Sequence, residues 1–396
     1  MTWCSLLFLA GCTAASPGPA LSPIPMTATP TRRPATSPAP TFTPVAFHVQ
    51  PSRTPLPSPT PYIAPTAVSQ GYGVNPLTGM VVADASRLER RPMAIKVTNF
   101  PRSVRPQWGL SKADNVYEYY LEDLLTRFIG VFYGQDAERV GPVRSGRLFD
   151  ANIVRMYKSI FVFAYADDRV IDLWTNSDIR SFLVVEGKHN CPPLCRIGPS
   201  TNYNTLFANT SELAKYFIEQ GKSNEKQDLK GFTFGSPPGL PSGSGTTIAT
   251  RYSLVSYNKW EYDAVRDVYL RFQETQDGHQ GEEVYAPLKD SLTDQQLSAD
   301  NVVVLLMRHK EFYKSSDTEI YEMDFMGKGP AYAFRNGQAY RIEWERTAKD
   351  SLLNLQMENG RPYRLKPGTT WFMVLGESSA VQPGSDGSWY FGFSMP

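Results

Sequence analysis

Four acidic side chains in one part of the chain are of the type that carries acid–base chemistry: Asp114, Glu118, Glu122 and Asp167. Two carboxylates can act as acid and base on a glycosidic bond when they lie about 5–5.5 Å or about 6.5–9.5 Å apart. If residues 114–122 form an extended segment, Glu118 and Glu122 differ by four positions and share one face. These four residues are therefore the candidate catalytic residues of one hypothesis, a hydrolase of a cell-envelope polymer.

Basic side chains stand close to these acids in the sequence and favour a binding site. Arg144, Ser145 and Arg147 follow Gly-Pro at a predicted helix start, and Arg127 lies on an earlier predicted strand. Guanidinium groups and free amides at a helix N-terminus both suit a carboxylate or a phosphate. Arginines and carboxylates in equal number can also pair with each other inside the protein. The pattern thus leaves two interpretations, a site for an anionic or polysaccharide ligand and an internal salt-bridge network.

The N-terminus indicates export. A short apolar stretch, from Trp3 to Ala10, ends in Leu-Ala-Gly-Cys12 and resembles a bacterial lipoprotein signal, in which cleavage precedes an acylated cysteine. Each buried methylene contributes about 0.8 kcal/mol, so two or three acyl chains give stable membrane residence. No Lys or Arg precedes the apolar run, and the true start could lie upstream. We expect lipidation at Cys12, the lipid bilayer as a partner, and an extracytoplasmic location in the bacterial cell envelope.

Residues 13–70 are rich in Pro, Thr and Ser and carry few large apolar side chains. Such a segment cannot bury enough apolar surface to offset the entropy of ordering it, so it is predicted to be a disordered tether. The whole chain has 40 basic and 39 acidic residues, which argues against nucleic acid as a partner. No run of about 18 apolar residues is present, so no ordinary transmembrane helix is predicted.

A third group of reactive side chains comprises His189, Cys191 and Cys195. Neighbouring cysteines in an exported protein most often pair, and we favour a local disulfide between these two. Three candidate ligands are fewer than a structural zinc site uses, and free thiols are the remaining alternative. Motifs of serine hydrolases, P-loop proteins and zinc proteases are absent from the sequence. No metal or other cofactor is expected.

The elements that must position these residues fall into two regions. In the first, predicted strands near 93–97, 116–121, 126–133 and 160–164 interleave with helices at 146–157 and from Thr210 to Gly221. Residues 122–125 are a predicted hairpin connection. The second region is mostly predicted strand, with a strong hairpin signal at Asn336-Gly337. Its predicted strands are 247–258, 267–273, 302–309, 318–325, 330–335, 338–345 and 369–375.

Several motifs stand in order along this part of the chain: Asn75-Pro-Leu-Thr-Gly79, Arg105-Pro-Gln-x-Gly-Leu-Ser-x-Ala-Asp114-x-Val-Tyr-Glu118, Thr126-Arg127-Phe128, Gly141-Pro-Val-Arg-Ser-x-Arg147, Phe334-Arg-Asn-Gly337 and Pro367-Gly-Thr-Thr-Trp371. With them the chain resembles the YerB-like family, a two-part domain of unknown function in bacterial lipoproteins. The resemblance covers nearly all of 75–376 and implies fold and location more than activity. Two histidines of the family pattern are missing, near 164–168 and 202–204, and Asp123-Leu124 replaces Gly-Gly.

We therefore expect an α/β fold in which a layered α/β domain precedes a β-rich domain. The predicted organisation is a signal peptide at 1–12, the tether at 13–70, an N-terminal domain at 71–230 and a C-terminal domain at 246–396. The expected function is a membrane-anchored binding protein rather than an enzyme, with a cell-envelope polymer or an envelope protein as its partner.

Overall fold

The computed structural model describes residues 73–395 except 188, 200, 238, 280 and 281. The predicted signal peptide, the lipidation site Cys12 and the predicted tether lie outside these residues. The described residues are mostly strand, with three α-helices and four short 3-10 helices.

The helices are α1 Asp150–Tyr157, α2 Asp168–Thr175 and α3 Thr210–Glu219. The strands of the first half are β1 Met93–Thr98, β2 Asn115–Tyr120, β3 Thr126–Phe132, β4 Ile160–Phe163, β5 Leu183–Val185, β6 Leu194–Arg196, β7 Leu206–Ala208, β8 Thr233–Phe234 and β9 Gly243–Ser244. The strands of the second half are β10 Thr247–Arg251, β11 Tyr257–Asp263, β12 Val268–Glu274, β13 Tyr285–Pro287, β14 Ser298–Ala299, β15 Asn301–Met307, β16 His309–Lys314, β17 Glu319–Met323, β18 Gly327–Arg335, β19 Gln338–Arg346, β20 Asn354–Met357, β21 Arg364–Leu365, β22 Thr370–Gly376, β23 Ala380–Pro383 and β24 Ser388–Gly392.

One large sheet joins the two halves of the sequence. It has eleven strands in the order β20-β19-β18-β15-β22-β2-β3-β1-β4-β5, with β9 paired to β19. The halves meet where β2 runs parallel to β22, with Asn115 opposite Thr370 and Tyr119 opposite Val374. The expected division into an α/β half and a separate β-rich half is therefore not confirmed, and the boundary near 231–245 stays a prediction.

The large sheet is covered on both faces. Apolar residues of α1 and α2, including Val154 and Trp174, pack on one face. The other face packs against α3 and against a seven-stranded sheet in the order β13-β12-β11-β10-β24-β23, with β14 on β12. Because successive residues of a strand point to opposite faces, each central strand contributes side chains to both of these layers.

Several predicted elements agree with the structure. Residues 122–125 connect β2 to β3 in a tight turn, with Asp123 and Leu124 in the left-handed region at φ 57° and 62°. Asn336-Gly337 connects β18 to β19. The predicted strand 247–258 is two strands, β10 and β11, because the chain turns between them. The predicted helix at 146–157 starts four residues later than expected, which changes the candidate site.

Candidate functional site

The candidate site is built on the helix-covered face of β1. Met93, Ile95 and Val97 point to the layer formed by α3 and the seven-stranded sheet, so Lys96 points to α1 and α2 and is completely buried. Its Nζ lies 3.1 Å from Oδ1 of Asp150 and contacts the Tyr119 hydroxyl. That hydroxyl donates to the same Asp150 oxygen at 2.5 Å. Burial lowers the pKa of Lys96 to about 7, although Asp150 acts in the opposite direction.

The segment 142–146 lies beside the end of β1 in an extended conformation. The backbone N–H of Arg144 donates to the carbonyl of Lys96 at 3.1 Å, and that of Thr98 donates to the carbonyl of Pro142 at 3.0 Å. These bonds fix Arg144 and Ser145 next to the buried Lys96.

The same segment is held on its other side by the residues that follow β4. The N–H of Ala164 donates to the Arg144 carbonyl at 3.1 Å, and the N–H of Gly146 donates to the Tyr165 carbonyl at 2.7 Å. A β-carbon at position 146 would lie 2.5 Å from the Trp174 ring of α2. Glycine is therefore required where this segment crosses α2.

Four arginines gather around this segment, and we call them the arginine cluster: Arg127, Arg144, Arg147 and Arg196. Arg127 lies on β3 opposite Tyr119, is only 8% exposed and donates from Nη1 to the Ser145 carbonyl at 2.8 Å. The residues predicted to bind a ligand therefore lie together in the structure: Arg127, Arg144, Ser145 and Arg147.

Two members of the cluster have carboxylate partners. Arg147 donates through Nε to Oε2 of Glu122 at 2.8 Å and makes a second, shorter contact with the other oxygen. Arg196 donates through Nη2 to Oε2 of Glu186 at 2.6 Å. These two arginines are therefore neutralised by acids from the β2–β3 turn and from the segment after β5.

Arg144 is different because no described carboxylate pairs with it. Its Nε is buried and has no hydrogen-bond acceptor among the described residues. Burial, followed by the neighbouring charges of Arg127 and Arg196, lowers its pKa from the usual arginine value. An unpaired guanidinium held beside like charges creates a demand for an anion.

Counting the charges supports this conclusion. Below pH 7, where Lys96 is protonated, the cations are Lys96, Arg127, Arg144, Arg147 and Arg196, and the carboxylates that pair with three of them are Asp150, Glu122 and Glu186. Five cations against three acids leave an excess of two, carried by Arg127 and Arg144. The start of α2 adds two acids and one cation, because Asp167 pairs with Arg169 and Asp168 accepts from the Tyr165 hydroxyl. Including these residues reduces the excess of positive charge to one.

The helix N-terminus does not contribute free amides as predicted. Helix α1 starts at Asp150, whose Oδ2 accepts from the N–H of Arg147 at 2.8 Å. The N–H groups of Asp150, Ala151 and Asn152 already donate to nearby carbonyls. This part of the prediction is wrong because Gly146 is bonded to Tyr165 after β4, and the helix begins only at Asp150.

Glu118 and Glu122 do not share a face. Glu118 is completely buried between the two large sheets, where it lies 2.7 Å from Nη2 of Arg271 and accepts from Thr126 at 2.9 Å. Glu122 lies beyond the end of β2, in the turn to β3, and reaches Arg147 on the opposite side of the sheet. The strand ends before Glu122, and the period-two rule no longer applies there.

The other two candidate catalytic acids have structural contacts. Asp114 is buried and accepts from the N–H groups of Tyr133 and Gly134 at 2.6 and 3.0 Å and from the Asn75 amide. Burial raises its pKa to about 6 against these hydrogen bonds. Asp167 caps the N-terminus of α2. Their assignment as catalytic residues stays a prediction without a contact in its favour.

Cys191 and Cys195, the pair expected to form a local disulfide, are joined by one in the structure, with Cα atoms 4.8 Å apart. The bridge closes the turn into β6, the strand that ends at Arg196. His189 lies on the same loop. Among the described residues, no three side chains of His, Cys, Asp or Glu are grouped as a metal site requires.

Two cavities are lined mainly by other residues. One of about 370 Å³ contains the Arg105–Glu274 ion pair at 2.6 Å, and its rim residue Arg102 pairs with Asp277 at 2.8 Å. The other, of about 340 Å³, is lined by an acidic group that includes Glu122. The cations of the first cavity are paired, so neither cavity matches the unpaired charge at Arg144.

Sequence reasoning missed several members of the site. Lys96 was visible as a lysine within the apolar strand Met93–Thr98, which is the signal of a buried charge. Asp150 and Arg196 carried no such signal, because their roles depend on contacts across the fold. Arg271, the partner of Glu118, lies on the same buried face of β12 as Tyr269 and could have been found in the same way as Lys96.

Comparison with known proteins now adds the family. Residues 77–223 match the model described as "Protein of unknown function (DUF3048) N-terminal domain", and residues 248–372 match its C-terminal domain. The chain belongs to this family. It is 26% identical over 320 residues to "Putative lipoprotein YerB" of Bacillus subtilis (strain 168), covering 77% of this chain and 87% of that protein.

A solved structure shows the same fold. The crystal structure of YerB from Bacillus subtilis superposes with a TM-score of 0.60 at 22% identity and covers 76% of this chain and 96% of that one. Among the residues described here, no helix is long and apolar enough to cross a bilayer. Residues 164–168 and 202–204 both lie near Arg144. The N–H of Ala164 donates to the Arg144 carbonyl, and the N–H of Val143 donates to the carbonyl of Leu206, which closely follows the second segment.

Proposed function

We propose that the protein is a membrane-anchored, extracytoplasmic binding protein whose arginine cluster takes the anionic group of a cell-envelope ligand. The observation that carries this proposal is the guanidinium of Arg144, which has no acidic partner among the described residues and lies beside Arg127. Arg127 itself donates to a neutral carbonyl rather than to a carboxylate. A carboxylate or phosphate placed between them would receive charge-assisted hydrogen bonds.

The anchor is proposed from the sequence and from the relative. Leu-Ala-Gly-Cys12 resembles a lipoprotein signal, and the relative that covers most of the chain is described as a putative lipoprotein. Acylation of Cys12 would hold the protein at the membrane. The Pro-rich residues 13–70 would let the binding region reach ligand away from the bilayer.

A hydrolase is the alternative hypothesis, and no contact favours it. Glu118 pairs with Arg271, Glu122 with Arg147 and Asp167 with Arg169. A general acid needs a carboxyl group within reach of substrate, whereas Glu118 is completely buried.

The proposal is tested by titrating the full-length protein with inorganic phosphate at low ionic strength, followed by ³¹P NMR. The Arg144→Gln variant should bind about ten- to a hundredfold more weakly, because a hydrogen bond to a charged group contributes about 1.5–3 kcal/mol. The matched control is Arg361→Gln, which removes an exposed arginine from a distant turn. It should bind phosphate as the wild type does.

Circular dichroism of all three proteins checks that they are folded. Equal binding by the wild type and Arg144→Gln, or an equal loss in Arg361→Gln, would overturn the assignment of the site. Absence of binding by the wild type would overturn the anion-binding function itself.

A further inference from the structure

Exposed aromatic rings border the arginine cluster. Tyr165 is 54% exposed, and its carbonyl accepts from Gly146 directly after Ser145. Its hydroxyl donates to Oδ1 of Asp168 at 2.5 Å, which holds the ring in place at the start of α2. A large ring kept in solvent by a hydrogen bond is pre-organised for a ligand rather than for the core.

A second exposed ring belongs to the loop between β6 and β7. Tyr203 is 70% exposed and close enough to Arg144 to influence the pKa of its guanidinium. Arg196 fixes the loop of Tyr203, because its Nη1 donates to the carbonyl of Asn202 at 3.0 Å. In the same loop, Oδ1 of Asn204 is buried and accepts no hydrogen bond from any described residue.

Resting on the function proposed above, we propose that the anion taken by the arginine cluster belongs to an acidic saccharide whose ring lies against Tyr203 and Tyr165. A sugar ring has an apolar face that can cover an exposed tyrosine, and hydroxyl groups that can satisfy an acceptor such as Asn204 or Asp168. A simple inorganic anion would use only the guanidinium groups. The combination of unpaired cations, open rings and an unsatisfied amide oxygen therefore fits a charged sugar better than a bare ion.

The acidic group of such a saccharide can be a phosphate or a carboxylate, and paired probes separate the two. Glucose 1-phosphate is compared with inorganic phosphate, and glucuronate with acetate, by titration of the full-length protein. Within at least one pair, the sugar probe should bind about three- to tenfold more tightly than the bare anion, a ratio expected from ring contacts. Neutral glucose should bind more weakly than both sugar acids.

The variants Tyr203→Ala and Tyr165→Ala identify the rings. Either variant should lower the ratio of the affinities for the sugar probe and the bare anion to about one. Binding of the bare anion should stay unchanged. Phe312→Ala is the control, since Phe312 is 44% exposed on β16 and lies outside the cluster. It should change neither value.

The outcomes separate this inference from the function on which it rests. If bare anion and sugar acid bind equally in both pairs, or if the tyrosine variants weaken both probes alike, the saccharide proposal is wrong and the anion site remains. If neither phosphate nor acetate nor either sugar acid binds, both proposals fail.

Discussion

The β2–β3 hairpin carries a charged residue on each of its faces, and the two residues have different partners. Toward the seven-stranded sheet, Glu118 is matched with Arg271 in a completely buried pair. Toward the helices, Arg127 lies in a cluster that has more cations than acids. The rings of Trp260 and Trp371 lie over the Arg271 guanidinium, whereas no aromatic ring of the described residues lies over Arg144.

The difference teaches how to separate structural charge from functional charge in this fold. The buried pair of Glu118 and Arg271 matches one carboxylate with one guanidinium across the two sheets, although Nη1 of Arg271 has no acceptor among the described residues. A guanidinium that is partly exposed and unpaired contributes little to folding and is available to a ligand. Three experiments test whether the two faces differ in this way.

The largest effect is expected from Arg271→Met. The change leaves the Glu118 carboxylate buried without its cation, and breaking such a pair costs about 3–5 kcal/mol. The free energy of unfolding, measured by urea denaturation, should fall by that amount. The double variant Glu118→Met/Arg271→Met should recover much of the loss, because it leaves no unpaired charge.

If the double variant is as unstable as the single one, packing around Arg271 rather than charge matching explains the loss. The claim that matched charges stabilise the face toward the seven-stranded sheet would then be wrong.

An intermediate effect is expected from Lys96→Met, and it should depend on pH. In the folded protein burial lowers the pKa of Lys96 to about 7, whereas an unperturbed lysine has a pKa of 10.5. Between these values the unfolded chain binds more protons than the folded one, so the contribution of Lys96 to the free energy of unfolding rises with pH. The stability of the wild type relative to Lys96→Met should therefore increase from pH 6.5 to pH 9.

Urea denaturation at several pH values measures this difference. Comparing the two proteins at each pH cancels the titration of groups that the substitution does not affect. A difference that is constant with pH would show that Lys96 does not titrate near neutrality. Burial and the neighbouring arginines would then lower its pKa less than proposed.

Local signals in the sequence predicted the hairpins of this fold well. Asn336-Gly337 and residues 122–125 specify tight turns with residues adjacent in sequence, so nothing distant is needed to define them. The pairing of β2 with β22 could not be predicted, because it joins segments about 250 residues apart and parallel pairs carry no turn signal.

The site was predicted in part for the same reason. Arg127, Arg144 and Arg147 were indicated by residue type and by a Gly-Pro motif. Their state of pairing depends on Glu122 and on residues beyond it, which meet only in the folded sheet. The start of α1 was misplaced because Gly146 is bonded to Tyr165 and Arg147 to Glu122, and such tertiary contacts override local helix preference.

The smallest effect on stability is expected from Arg144→Gln, and it sharpens the comparison most. Arg144 has no acidic partner to lose, and its removal relieves repulsion from Arg127 and Arg196. The free energy of unfolding should fall by less than about 0.5 kcal/mol, or it should rise. Arg147→Gln, which leaves Glu122 unpaired, should lower it by up to about 1 kcal/mol. A larger loss in Arg144→Gln than in Arg147→Gln would mean that Arg144 stabilises the fold, and its free guanidinium could no longer be assigned to a ligand.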